Sequence, residues 1–309
     1  MIKLSEETHT SLYYNVDECI EFCKNIPDTK SSKIEDFHML WNVGRQFGRK
    51  QLLPIKSFLC TQDLKQTRFN LWSNLDLRKN EYFKPFVHLV NCRLYDPIEE
   101  AKGTVLEGYN TLLTANDHLN WVMGDVFRAL CLHKHGGVYI DADVVMLRSF
   151  APLLEQEFMY KWSWHPTLIN SAVMRMNAKS ELSSMILEIM TRTQIRPATA
   201  CLSAELYSTL RETNKDWTVF PCGFFNTEWV YKFTDEEKRD HSNFELLKFI
   251  REPMAKTSHS NEMYEGAFSW HWHNNWDTNV EVGSKWWLLE DKFDKLIYEK
   301  FGIKPTHSV

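Results

Sequence analysis

The 309-residue chain has no run approaching the roughly 18 apolar residues that cross a bilayer. Its opening, MIKLSEETHT, is polar and resembles neither a signal peptide nor an anchor. A protein working in the cytosol is expected. Its seven cysteines contain no CxxC pair and no zinc spacing, so reduced thiols are expected rather than a disulfide framework or a zinc site. No basic stripe interrupts a formal net charge of -5, which argues against nucleic acid as the main partner. The short GRK at 48–50 reads as a solvated turn. Internal repeats, low-complexity tracts and a clear linker are also missing. What is present is bulk: 43% hydrophobic residues, 12 tryptophans and 19 phenylalanines, enough for a substantial core. Aromatic faces also serve sugar and base clefts, though most of these rings are expected in the core.

Periodicity divides the chain into a helical extension over 1–33 and one domain over 34–309. VDECIEFCKNI is apolar at helical spacing. IEDFHMLWNVG (34–44), TRFNLWSN (67–74) and PFVHLVNCRLYD (85–96) read as strands, and LPIKSFLCTQDL as a helical turn. NDHLNWVMGDVFRALCLHKHGG is the clearest helix, with Leu119, Val122, Met123, Val126, Phe127, Leu130 and Cys131 on one broad face. Asn116 or Asp117 suits its start, and Gly136-Gly137 suits a left-handed stop. VYIDADVVML follows as a strand. LINSAVMRMN, SELSSMILEIMTRT, AELYSTLRETN and GAFSWHWHNNW continue as strand, helix, helix and strand. Strand and helix alternate, so the fold class is α/β with a largely parallel sheet, whose ligands gather beyond the carboxyl ends of the strands.

Asp141 and Asp143 sit at that edge. On a regular strand they share a face, with Ala142 turned away. Two carboxylates so close repel unless a cation lies between them. Oxygen ligands with few protein contacts suit Mg²⁺ or Mn²⁺, especially where phosphate oxygens complete the shell. A bare D-x-D is more often a pair of exposed turn aspartates. Here it follows a helix, a double glycine and an apolar strand.

GDVFRALCLHKHGGVYIDADVV resembles the D-x-D segment of a family of retaining glycosyltransferases with the GT-A fold. That family includes Och-type mannosyltransferases, α-1,4-galactosyltransferases and bacterial capsule enzymes. Gly124, Asp125, Arg128, Gly136, Gly137, Tyr139, Asp141 and Asp143 stand at the family's spacings. FHMLWNVG is similar to its first strand, LINSAVMRM to its N-[AG]-x-[ILM] strand, FPCGFFNTEW to a late P-x-x-F-Y-P segment, FSWHWHNNW to its H-x-W strand and GSKWW to a G-S-W motif. The likeness is dense over 117–148 and patchy elsewhere within 34–290.

The resemblance implies a Rossmann-like GT-A sheet, a Mn²⁺ or Mg²⁺ ion, a nucleotide-diphosphate sugar, with UDP favoured as carrier, and a glycan or glycoconjugate acceptor. It implies metal ligation by Asp141, Asp143 and His271, with Asp141 also toward the ribose. His273 shares a face with His271 if that strand is regular, so residue types alone do not choose between them. Asp125 and Arg128, three apart on the helix, either pair structurally or line the donor-sugar pocket. Trp41 is implied at the nucleotide base or packs in the core. Tyr139 belongs to the nucleotide side and Asn170 to the sugar hydroxyls. Ser284 and Lys285 are implied near the diphosphate, Lys285 being otherwise a solvated loop residue. Glu205 and Asp117 are the carboxylates to test in the retaining step.

Two departures bear on acceptor and sugar choice. Ser203-Ala204 stands where the family often has Gly-Pro, and the gap from His271 to GSKWW is long. Polar residues alone leave two rivals, a non-catalytic carbohydrate-binding module and a glycoside hydrolase. The hydrolase needs carboxylates from separate elements across the scissile bond, about 5 Å or more apart. Without an N-terminal anchor, a bacterial protein or a viral one acting in host cytosol is expected.

Overall fold

A computed structural model describes residues 15–29, 33–42, 46–115, 121–161, 169–192, 209–210, 217–226 and 266–305, with isolated positions 2, 4, 8 and 12. The Asn116/Asp117 cap, Glu205, the Ser203-Ala204 pair and the helix read over AELYSTLRETN lie wholly or mostly outside these residues.

Among the described residues, nine strands form a seven-stranded sheet and a two-stranded ribbon. They are β1 (Glu35–Leu40), β2 (Thr67–Ser73), β3 (Asn91–Leu94), β4 (Gly137–Ile140), β5 (Val144–Met146), β6 (Phe158–Lys161), β7 (Ile169–Met176), β8 (Thr218–Phe220) and β9 (Ser269–His271). The sheet order is β3-β2-β1-β4-β7-β6-β8, and β5 pairs with β9 apart from it. β1 runs parallel to β2 and β4, β2 to β3, and β6 to β8. Only β7 is antiparallel to its neighbours in the large sheet. The mostly parallel α/β class expected from the sequence is thus the observed one.

Strand alternation sorts the core onto two faces. Phe37, Met39, Phe69, Leu71, Val138 and Ile140 meet helix α2 (Arg49–Thr61) through its Leu52, Ile55, Phe58 and Leu59. On the opposite face Trp72, Tyr139, Met174 and Met176 meet α3 (Trp121–His135) through Val126, Phe127 and Leu130, and α4 (Glu181–Arg192) through Leu182 and Ile186. The N-terminal helix, α1 (Val16–Asn25), is capped by the Asn15 side chain, which accepts from the Glu18 amide at 3.2 Å. Its Cys19 and Cys23 join the first core, and Arg148 donates to the carbonyls of Cys23 and Ile26 at its end. The last helix, α5 (Lys285–Phe301), lies on α2 across a buried ion cluster. There Arg49 meets Glu290, and Lys56 meets Asp294 at 2.5 Å and Glu290 at 3.7 Å. Two cations against two carboxylates balance the charge that burial would otherwise penalise.

Three element expectations change. The strand read over 85–96 is a 3-10 turn (Lys84–Phe86) followed by β3, because Pro85 and the turn after it interrupt the apolar run. The helical turn read near residue 53 is the full helix α2, held despite Pro54 by the first core through Leu52, Ile55, Phe58 and Leu59 and by the cluster of Trp270, Trp272 and Trp286 through Leu53. VYIDADVVML is not one strand: β4 stops at Ile140, the chain turns through Asp141–Asp143, and β5 joins β9 instead.

His38 shows how tightly β1 and β4 are locked. Trp72 Nε1 donates to its Nδ1 at 3.1 Å, and its Nε2 lies 3.0 Å from the Gly136 carbonyl. An indole can only donate and a carbonyl only accept, so the ring is neutral with its proton on Nε2. Burial drives its pKa down to about 4. An unfolded chain takes up this proton near pH 6.5 and the folded protein refuses it. This contribution is therefore complete above pH 6.5 and is lost as pH falls toward 4. The loss amounts to roughly 2 kcal/mol by pH 5. Denaturant unfolding at pH 7.5 and pH 5 should show that loss in the wild type, and His38→Gln should lose correspondingly less. An equal loss in both proteins would refute the assignment.

Candidate functional site

β1 and β4 are parallel neighbours with Phe37 opposite Val138 and His38 opposite Tyr139, so Trp41 and Asp141 leave the sheet at one edge. From β1 the chain winds outward through β2 and β3, and β4 lies on β1's other side. That reversal of winding opens a crevice beyond the carboxyl ends of the two strands. The double glycine makes it possible. Gly136 closes α3 with φ +67°, its amide on the Leu132 carbonyl at 2.9 Å, and Gly137 enters β4 with φ +94°. A Cβ on Gly137 would stand 2.2 Å from the Asp36 carbonyl oxygen, so only glycine lets β4 lie this close to β1.

At the crevice the chain breaks from the sheet. The Asp141 amide donates to the Ala172 carbonyl at 2.8 Å, and the Val144 amide closes the turn on the Asp141 carbonyl at 3.0 Å. β5 then pairs antiparallel with β9, placing Val144 opposite His271. Ligand atoms of Asp141, Asp143 and His271 all lie within 4.8 Å of one another. The two aspartates do converge, but not by strand alternation. A turn aims them, and a ladder to a distant segment supplies the histidine.

The group's interior is dry on one side. Asp143 is 2% exposed and His271 6%. Asp143 Oδ2 accepts the Asn274 amide at 2.7 Å and lies 3.2 Å from His271 Nε2, which has no hydrogen-bond partner. Burial would raise the Asp143 carboxyl, but the charge of His271 and the Asn274 amide outweigh it and hold the pKa below the usual range. Burial would likewise depress His271, and the Asp143 charge overcomes it and raises the imidazole. His273 takes another place. Backbone with φ +52° follows β9, and its ring stacks on His271 at 3.9 Å with Nε2 2.8 Å from Asn226 Nδ2. Burial keeps it well below its ordinary pKa. Geometry brings His271 into the acidic group and makes His273 the surface it leans on.

Asp141 is the more open of the pair and is fixed from the α3 side. Tyr139 donates its hydroxyl to Asp141 Oδ1 at 2.5 Å, and Arg128 Nη2 reaches the same oxygen at 3.2 Å. Burial, then the Asp141 charge, raises the Tyr139 phenol and keeps it a donor. The Arg128 guanidinium lies over the Tyr139 ring at 4.8 Å, bonds Ser171 Oγ and the Gly124 carbonyl, and stands 3.5 Å from Asp125. Asp125, Arg128, Tyr139 and Asp141 are therefore one unit, with the helical spacing of the first two realised as a pair. Asn170, the second residue of β7 and the neighbour of Ser171, has its Oδ1 engaged by the Ala172 amide at 2.7 Å.

Trp41 is half-buried, with its ring 4.9 Å from Trp276. Trp276 Nε1 donates to Asn274 Oδ1 at 2.9 Å, which links Trp41 to the acidic group through Asn274. Ser284 is the side-chain cap of α5, accepting from the Trp287 amide at 3.3 Å. Lys285 is 6% exposed in the first turn of that helix rather than solvated in a loop, a correction imposed by the packing of Trp286 against Trp270, Trp272 and Val145. Sequence reasoning missed Asn274, whose amide holds Asp143, Ser171, whose hydroxyl meets Arg128, Tyr160, whose hydroxyl lies 3.5 Å from His271 Nδ1, and Lys50, which bonds the carbonyls of Asn275, Trp276 and Thr278. Their contributions come from backbone amides or long-range packing and leave no local pattern. The GRK reading is also corrected: Gly48 caps α2, and Arg49 and Lys50 lie in its first turn with defined partners.

With this geometry in place, residues 96–160 match the family model for the glycosyltransferase sugar-binding region containing the DXD motif. The chain carries a glycosyltransferase DXD region. All of β4, the acidic turn, β5 and the Arg128 unit's helix fall within it. No curated protein sequence matches the chain. Among solved structures, the glycosyltransferase GlyE of Streptococcus pneumoniae TIGR4 is 12% identical over 90% of this chain and 66% of its own, with a TM-score of 0.49. The WbbM bifunctional glycosyltransferase, in apo form, is 11% identical over 88% of this chain and 50% of its own, with a TM-score of 0.49. PaToxG glycosyltransferase is 12% identical over 66% of this chain and 78% of its own, with a TM-score of 0.45. The chain thus spans half to two thirds of GlyE and WbbM. Among the described residues, no helix of the chain is long and apolar enough to cross a membrane.

Proposed function

We propose that the protein is a metal-dependent retaining glycosyltransferase that moves a sugar from a nucleotide-diphosphate donor, with UDP as the favoured carrier, to a hydroxyl of a glycan or glycoconjugate. The observation that carries this is the convergence of Asp141, Asp143 and His271 at the winding reversal of the sheet, the two aspartates lying inside the DXD sugar-binding match over residues 96–160.

The donor set fits a divalent cation. Two carboxylates and one imidazole nitrogen are within reach of one another, and His271 Nε2 is buried without a hydrogen-bond partner. Mn²⁺ or Mg²⁺ held there would supply Lewis-acid neutralisation of the charge that builds on the departing diphosphate. The protein's own residues do the rest. Asn274 holds Asp143 by its amide, and Tyr139 and Arg128 orient Asp141. The Arg128 fork also faces Ser171, next to Asn170, where donor-sugar hydroxyls would meet it. Trp41 and Trp276 offer an aromatic wall for the base at the same edge. In this reading Ser284 and Lys285 act on the diphosphate from the start of α5, and Glu205 is the carboxylate to test in the retaining step.

A thermal-shift series with UDP-, GDP- and CMP-sugars, each with and without Mn²⁺, tests the reading. A melting increase of several degrees is expected for UDP-sugar with Mn²⁺ and not for either alone at the same concentrations. Stabilisation by free glycan but by no nucleotide would move the protein to the carbohydrate-binding class.

A further inference from the structure

The loop that completes the acidic group is strained and is held from outside by the Lys50 ammonium. After β9 the chain passes through two consecutive left-handed residues, His273 (φ +52°) and Asn274 (φ +54°). Non-glycine residues occupy that region at a cost, and they persist where surrounding contacts overdetermine them. The strain has a use, since this bend turns the Asn274 amide onto Asp143 Oδ2 at 2.7 Å.

Just beyond the bend, three main-chain carbonyls converge. Those of Asn275, Trp276 and Thr278 accept from Lys50 Nζ at 2.7, 2.8 and 2.5 Å, which uses all three protons of the ammonium. The same ammonium lies 5.9 Å from the centre of the Trp272 ring, the residue between His271 and His273. Lys50 belongs to the first turn of α2, whose Gly48 amide is capped by Gln51 Oε1 at 2.8 Å, so it reaches the loop from a rigid element.

We infer that Lys50 is a positioning residue for the metal group: its ammonium templates the 272–278 loop in the strained form that presents His271 and the Asn274 amide to Asp143. The inference rests on the metal-dependent reading above and names a residue that the D-x-D pattern does not contain. Without the ammonium the three carbonyls repel one another and the bend relaxes. His271 then loses its register with Asp143, although neither residue has changed.

Lys50→Ala and Lys50→Met test this. A cavity of about 520 Å³, lined by Gln46, Arg49, Lys50, Asp277, Thr278 and Asn279 among others, opens onto the site of the ammonium. n-Propylammonium can therefore enter Lys50→Ala and replace the missing atoms. Lys50→Met keeps most of the stem, preserves packing and leaves no room for the amine. Mn²⁺ affinity, read by electron paramagnetic resonance, is expected to fall at least tenfold in both variants. Propylammonium should restore it to within about threefold of wild type in Lys50→Ala only. In metal-free protein, hydrogen exchange at the Asn274 amide should accelerate in both variants and slow again with the amine in Lys50→Ala. Wild-type Mn²⁺ affinity and wild-type exchange in either variant would overturn the role. Loss without amine rescue in Lys50→Ala would also overturn it, reducing Lys50 to a packing residue. Failure of the wild type itself to bind Mn²⁺ would instead remove the metal reading, while the exchange comparison would still decide whether Lys50 holds the loop.

Discussion

Asp143→Asn is expected to abolish measurable Mn²⁺ binding and to lower sugar transfer by about a thousandfold or more, equivalent to roughly 4 kcal/mol of transition-state stabilisation. Asparagine matches the volume of aspartate and still offers an oxygen to the Asn274 amide, so the turn and loop should keep their form. What disappears is a full negative charge that is 2% exposed and lies 3.2 Å from His271 Nε2. Burial makes that charge costly alone and valuable to a cation. His271 is raised by Asp143 against the burial that lowers it, and once that carboxylate charge is gone burial favours the neutral imidazole, so no unpaired buried charge need remain. The metal-free melting temperature should accordingly change little. Electron paramagnetic resonance with Mn²⁺, transfer of labelled sugar and a melting curve together decide the matter. Near-normal transfer with the fold intact would remove Asp143 from the chemistry.

Gly137→Ala should be the most destabilising single-methyl addition in the chain's central sheet, by about 4 kcal/mol or more, with poor recovery of folded protein. Two penalties act together. The backbone sits at φ +94°, where an L side chain is strained, and the new Cβ would lie 2.2 Å from the Asp36 carbonyl oxygen. Backbone cannot swing aside as a side chain does, so β1 and β4 must separate. The His38 link to the Gly136 carbonyl, at 3.0 Å, would stretch with them. Gly103→Ala is the matched comparison. Gly103 has φ +75° but nothing within 4 Å of the added carbon, so only the conformational part, about 1 kcal/mol, is expected. Equilibrium unfolding of both variants separates strain from collision, and similar losses in the two would show that the close strand approach is not what the double glycine serves.

Much of this site could be read along the chain. The amphipathic run of α3, the double glycine that stops it, and the apolar residues before Asp141 are short-range patterns, and each appears where helical and strand periods put it. The pairing of Asp125 with Arg128 follows from helix geometry and is observed. The α/β class follows from the alternation of such segments.

The break at Asp141 was not legible. Apolar β-formers lie on both sides of D-A-D, and period-two alternation cannot tell one strand from two that belong to different sheets. That choice is made by β9, whose ladder to Val144–Met146 captures the second half of the run. Choosing His271 over His273 has the same origin, because the strand ends at His271 and a left-handed bend turns His273 and Asn274 out of its line. Local sequence specifies what each short segment prefers, through rotamers, caps and the burial of one face. Which carboxylates and imidazole share a few ångströms, and which carbonyls an ammonium gathers, depends on pairings between segments far apart in the chain. Those are set by the packing of the whole core, and no window of the sequence contains them.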